Sequence, residues 1–210
     1  MHNIFHVVQE DIQLASMKRI AIFASGNGSN AERIVEHFRS SNVAKVVQII
    51  TNRTDAFVRR RAERLDLPCD YFPKSLWHTG EDIVASLKEN EIDFIILAGF
   101  LLKVPPLLIS LFPNKILNIH PALLPKYGGK GMYGMNVHQA VWEHKEEETG
   151  ITIHIVDEEY DQGKILFQGK CRIEPTDTPD SIAEKVHQLE YEYFPRVIEQ
   201  YISSGKVFLK

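Results

Sequence analysis

The sequence predicts an α/β fold: a doubly wound, mostly parallel sheet in a single domain that ends in a strand pair and a long helix. Three observations predict it. Strand-like and helix-like segments alternate from residue 18 onward, the pattern of strands joined by helical crossovers. The segment 94–98 (FIILA) is apolar at every position, as a parallel strand covered on both faces should be. A glycine turn, 25–29 (SGNGS), stands between the first strand and the first helix, at the end of the sheet where open α/β folds bind ligands.

Each element has its own grounds. Residues 19–24 (RIAIFA) are a short β-rich run, and the helix from 30 to about 39 places Ile34, Val35 and Phe38 at helical spacing. A second strand covers 43–50 (VAKVVQII), and a second helix runs from 55 to about 65. Residues 69–72 make a short strand, 81–88 a third helix, 94–98 a central strand, and 115–120 (KILNIH) another. Beyond the glycine-rich loop 128–134 a helix runs from 137 to about 145, and Glu146-Glu147-Glu148 read as a solvated helix end or loop. Strands at 151–156 and 164–173 flank the acidic turn 157–163. Pro179 stands near the first position of a final helix that reaches about 201. Met17 directly precedes the first strand, so 1–16 are set apart as an N-terminal extension of no assigned role and 17–210 form the domain.

Composition narrows the function classes. The chain has 210 residues, 44% hydrophobic and 25% charged, which suits one globular domain and excludes a disordered or fibrous chain. A net charge of −4 provides no broad basic footprint for nucleic acid or an anionic membrane, so an anionic ligand has to be held locally. Arg59-Arg60-Arg61 with Arg64 read as a solvated helical face. Cys69 and Cys171 form no C-x-x-C pair and read as small core residues in a reducing cytoplasm. The N-terminus carries Glu10 and Asp11 without a basic flank, unlike a signal peptide. The most apolar stretch, 94–112, is broken by Gly99, Lys103 and Pro105-Pro106, far short of the ~20 residues that span a bilayer. With the cysteines remote, the nine histidines carry no expectation of a metal site.

Three motifs can carry chemistry. In Ser25-Gly26-Asn27-Gly28-Ser29-Asn30 the glycines permit close backbone approach, and the free N–H groups of the following helix attract an anion. Gly26, Gly28 and Ala31 partly match a dinucleotide fingerprint, but the second strand ends in Thr51-Asn52-Arg53 rather than an acid that would hold a ribose. A site for one phosphate group fits better; the plainer alternative is a tight turn with Asn30 as helix cap. In Asn118-Ile119-His120-Pro121, positions i and i+2 of a strand project together, which suits an amide donor for a developing oxyanion beside an imidazole for proton transfer. The alternative there is a histidine bonded to a loop carbonyl. In the acidic turn, one of Asp157, Glu158, Glu159 and Asp161 can reach and orient His120; spacing does not choose among them, and a solvated hairpin is the alternative.

Together these pieces resemble the glycinamide ribonucleotide transformylases, a branch of the folate-dependent formyltransferases of purine synthesis. The resemblance runs from Lys18 to about Leu209 and rests on SGNGSN at 25–30, LAGF at 97–100, NIHPALLPKY at 118–127, and D-x-x-x-D-x-G-x-I-L from Asp157 to Leu166. It implies a Rossmann-like formyltransferase fold. It also implies transfer of the formyl group of 10-formyltetrahydrofolate, a consumed co-substrate, to the amine of 5-phosphoribosylglycinamide, with no metal and no covalent enzyme intermediate. Gly28, Ser29, Asn30, Ala31 and Glu32 would hold the substrate phosphate. Leu101, Leu102, Lys103 and Val104, with Asn118, would hold the folate. Asn118, a protonated His120 and Asp161 would be the catalytic residues, Asp161 raising the basicity of the imidazole. The family often continues PKY with Pro-Gly and a histidine pair; here Gly128-Gly129-Lys130-Gly131 follow, and Lys130 and His138 receive no role. The implied partners are small molecules, not nucleic acid or membrane, for a cytoplasmic monomer or homodimer. The alternatives are a formyltransferase acting on a sugar amine and a nucleotide-binding module without catalysis.

Overall fold

The computed structural model describes residues 17–209, so the extension 1–16 lies outside the described residues. Strand β1 (Lys18–Phe23) is followed by α1 (Ser29–Phe38), β2 (Ala44–Thr51), α2 (Val58–Arg64) and β3 (Cys69–Tyr71). After a 3-10 turn at Lys74–Trp77 come α3 (Glu81–Glu89), β4 (Phe94–Leu97), α4 (Pro106–Leu111) and β5 (Ile116–His120). The chain closes with α5 (Met135–Glu143), β6 (Glu148–Ile155), β7 (Ile165–Arg172) and α6 (Pro179–Ser204).

The strands form one sheet in the order β3-β2-β1-β4-β5-β6-β7. The first five are parallel, and β6 and β7 add antiparallel. This is the doubly wound sheet with a closing strand pair that the alternation predicts. The reversal of strand order falls between β1 and β4, whose carboxyl ends therefore open a crevice. Along β1 the side chains alternate between two cores. Ile20 and Ile22 join Ile34, Phe38, Phe194 and Ile198 on one face, and Ala21 and Phe23 join Trp77, Ile83, Leu87 and Leu108 on the other. With apolar layers on both faces, the strands are held rigidly and can present side chains at their ends.

Two stretches depart from the sequence reading. Helix α4 was not expected because Pro105-Pro106 open it; Pro106 falls in its first turn, where a missing N–H forfeits no helical bond. Glu148 is the first residue of β6, not loop, and pairs with Lys170 on β7 at 2.7 Å. Helix α6 is capped by Thr178 and Ser181, each bonding the other's backbone N–H, with Pro179 at its start as expected. Cys69 and Cys171 are free and partly buried, and burial pushes both thiols up, Cys69 to about 11.

Candidate active site

A cavity of about 970 Å³ opens at the carboxyl ends of β1, β4 and β5. Gly28, Ser29 and Asn30, the segment 101–104, and Asn118, His120 and Asp161 all line it.

The glycine loop is shaped by contact. Gly28 adopts φ +76 as the residue before α1, and a Cβ there would stand 2.6 Å from the Val58 Cβ, so only glycine lets α2 approach this turn. Asn30 is not the helix cap: it lies inside α1, and its Nδ2 donates to the buried Glu190 at 2.9 Å. Ala31 is fully buried and lies outside the cavity lining. Glu32 also lies outside the cavity lining: its carboxylate is held by Arg61 and Arg64, and its N–H donates to the Gly28 carbonyl at 3.0 Å. Arg61 is thus a structural ion-pair partner rather than part of a solvated face.

Ser25 ties this loop to the next strand. Its Oγ donates to Asn52 Oδ1 at 2.6 Å and accepts from the Leu101 N–H at 2.9 Å. Leu101 and Lys103 are exposed, Leu102 is half-buried and Val104 is buried. The Lys103 ammonium lies 5.8 Å from the centre of the Tyr160 ring.

Asn118 and His120 project from one face of β5, as i and i+2 require. Asp161 is the acid that reaches His120: its Oδ2 is 3.6 Å from His120 Nδ1, and its Oδ1 is 3.6 Å from His154 Nε2. The acidic turn is therefore not a wholly solvated hairpin. Asp157 instead accepts from the Glu159 N–H at 3.0 Å, a turn contact. His154, opposite Asn118 in the β5–β6 ladder, was missed from sequence; the signal was a histidine within the β-branched run ITIHIV. Asn118 Nδ2 and His154 Nε2 are 3.0 Å apart, and His154 Nδ1 meets the Ile155 carbonyl at 3.0 Å. A carbonyl only accepts, so Nδ1 carries the proton and Nε2 accepts from Asn118.

The electrostatics correct one expectation. Burial lowers the His120 pKa more than the Asp161 charge and the Tyr127 carbonyl raise it, so the ring rests neutral near pH 7 rather than protonated. Asp161 stands below the usual carboxylate range: burial works upward, and the charge that His120 takes up on protonation and the Gly129 N–H work downward. The cavity is also lined by the buried His138 and Glu190 and by the exposed His187. Burial raises Glu190, and burial with the neighbouring His187 and His120 depresses His138 to about 4. Among the described residues, Asn30 Oδ1 and His138 Nδ1 are buried without a hydrogen-bond partner. Both residues line the cavity. No group of three or more His, Cys, Asp or Glu side chains among the described residues is placed to hold a metal ion, and no helix there is long and apolar enough to cross a membrane.

The profile of the formyl transferase family matches residues 18–198. The chain belongs to the formyl transferase family. This formyl transferase is 36% identical over 189 residues to a phosphoribosylglycinamide formyltransferase of Bacillus subtilis, covering 88% of this chain and 94% of that one. It is 40% identical over 187 residues to a chloroplastic phosphoribosylglycinamide formyltransferase of Arabidopsis thaliana, covering 86% of this chain. The chain spans 64% of the length of that plant protein and 60% of its counterpart in Vigna unguiculata. Among solved structures, a phosphoribosylglycinamide formyltransferase from Bacillus halodurans superposes with a TM-score of 0.81 at 32% identity, over 90% of this chain and 97% of that one. These likenesses match the doubly wound sheet with its closing strand pair.

Proposed function

We propose that the protein transfers the formyl group of 10-formyltetrahydrofolate to the primary amine of 5-phosphoribosylglycinamide, yielding the formylated ribonucleotide and tetrahydrofolate. The observation that carries this reading is that one cavity holds all three parts of a transfer site. It joins an anion-accepting helix N-terminus, a partly apolar segment able to take a flat heterocycle, and an amide, an imidazole and a carboxylate between them.

The backbone N–H groups of Ser29 and Asn30 hold the phosphate, with Gly28 allowing its approach. The orphaned Asn30 Oδ1, with Glu190 beside it, accepts from ribose hydroxyls. The backbone of Leu102, Lys103 and Val104 takes the pterin of the folate, whose formyl group then lies toward Asn118. The amine attacks the formyl carbon, and negative charge develops on the formyl oxygen. One N–H of Asn118 is given to His154, which fixes the amide and leaves its second N–H for that oxygen. The amine proton passes to the His120–Asp161 pair and then to the folate nitrogen as the carbon–nitrogen bond to it breaks. No covalent bond to the enzyme forms, and no metal takes part. The substrates are small molecules, and the setting that fits them is the cytoplasm, for a monomer or a homodimer.

Turnover of 10-formyltetrahydrofolate with 5-phosphoribosylglycinamide is the deciding experiment, followed by the appearance of tetrahydrofolate. The amine lacking its phosphate should show a much higher KM at similar kcat. Equal activity on a phosphate-free sugar amine would overturn the ribonucleotide assignment, and binding of both substrates without turnover would overturn the enzyme.

A further inference from the structure

Three consecutive residues outside any regular element touch both members of the His120–Asp161 pair. The Tyr127 carbonyl accepts from His120 Nε2–H at 2.7 Å. The Gly129 N–H donates to Asp161 Oδ2 at 2.8 Å. Between them, the Cβ position of Gly128 lies 3.3 Å from the Asp161 Cβ and 2.5 Å from the end of the Leu124 side chain. Tyr127 and Gly129 hold φ +57 and +94, left-handed values that aim the carbonyl and the N–H at their targets. The segment is anchored away from the site. Tyr127 OH donates to Glu146 at 2.9 Å, and the same carboxylate receives Lys126 Nζ at 2.8 Å.

We propose that the backbone of residues 127–129 is the positioning device of the pair: it fixes His120 as the Nε2–H tautomer, turns the free lone pair on Nδ1 toward Asp161, and sets where that carboxylate stands. The consequence is chemical. With the ring neutral, Nδ1 and Asp161 Oδ2 are both acceptors, 3.6 Å apart and bridged by no proton. The proton released by an attacking amine has a place waiting there. On its arrival the imidazolium gives Nε2–H to the Tyr127 carbonyl and Nδ1–H to Asp161. When the proton passes to the leaving nitrogen, the resting tautomer returns. The opposite tautomer would carry a hydrogen on Nδ1 from the outset and could not accept there. Of the other titratable groups near the ring, His154 is bonded to Asn118 and the Ile155 carbonyl, and burial keeps His138 neutral.

The origin of that proton rests on the formyl-transfer reading; the tautomer does not. Nitrogen-15 NMR of the imidazoles at pH 8, with His120 assigned by its loss in His120→Gln, reads the tautomer in the wild-type protein without catalysis. A protonated Nε2 and bare Nδ1 are expected; the reverse overturns the proposal. Gly129→Ala adds the second test, because a side chain is strained at φ +94 and the N–H that bonds Asp161 Oδ2 has to move. It should lower kcat by about 10²-fold, the cost of a misplaced reacting group, with the KM of both substrates little changed. In an Asp161→Asn background the same substitution should cost almost nothing more, because it acts through that carboxylate. Full additivity of the two losses overturns the proposal. A wild-type protein with the Nε2–H tautomer and no formyl transfer would overturn the functional reading and leave the positioning device standing.

Discussion

Asn118 and His154 face each other across the β5–β6 ladder, joined by a 3.0 Å hydrogen bond from the amide to the ring. Both ring nitrogens of His154 are thereby occupied, and its Nε2 edge also lies 3.6 Å from Asp161. One buried histidine thus stands behind two of the three proposed catalytic side chains and fixes the orientation of the amide.

His154→Gln should therefore lower kcat by about tenfold, the worth of one oriented hydrogen bond, with little change in either KM. Steady-state kinetics checks it. A rise in KM with kcat intact would place His154 in binding rather than in orientation.

Asp161→Asn should lower kcat by about 10²–10⁴-fold while both KM values stay close to wild type. The charge of Asp161 raises the His120 pKa, so its removal lets that pKa fall further. The neutral ring is the proton acceptor, so wild-type kcat should rise with pH through a value below 6.5, and in the variant this acid limb should move to lower pH. Asp157→Asn is the control and should be mild, because Asp157 only accepts from a turn N–H. Equal, small effects at both positions would remove Asp161 from the catalytic set.

His138 makes stability depend on pH. Burial holds it at about 4 in the folded chain, against 6.5 for an ordinary histidine, so the unfolded chain binds its proton more readily. Stability should fall as pH drops from 6.5 to 4, by at most about 3 kcal/mol, and this contribution should change no further below that window. Urea unfolding at pH 7 and pH 4.5 measures it. His138→Gln should flatten the dependence; an unchanged slope would show that other groups set it.

Gly28→Ala should destabilise the fold as well as the phosphate site. The added methyl meets Val58 and the residue keeps a left-handed φ, together costing about 1–3 kcal/mol. Gly26→Ala meets open space, so it should leave the melting temperature unchanged and affect only the KM for the phosphorylated substrate. Thermal melts beside kinetics separate the two effects, and a large loss of stability in Gly26→Ala would contradict the geometry.

The sequence was informative wherever the physics is local. The apolar run of β4, the alternation of strand-like and helix-like segments and the glycines before α1 declared the doubly wound sheet, because strand and helix periods and glycine turns are written in neighbouring residues. Asn118 and His120 were legible as a pair, since two residues apart on a strand is one face. Helix α4 was hidden by its two opening prolines, and the Glu32 side chain was placed near a ligand because only position, not its ion-pair partners on α2, could be read.

The sequence by itself determined the fold class, the strand-end position of Asn118 and His120, and the turn at Gly28. Only the tertiary structure decided which acid meets His120, that His154 stands behind Asn118, and that burial leaves His120 neutral. The reason is that these are contacts between strands and loops distant along the chain. Their partners follow from the register of β5 against β6 and from the path of residues 127–129, and the pKa of a buried ring depends on everything packed around it rather than on its neighbours in sequence.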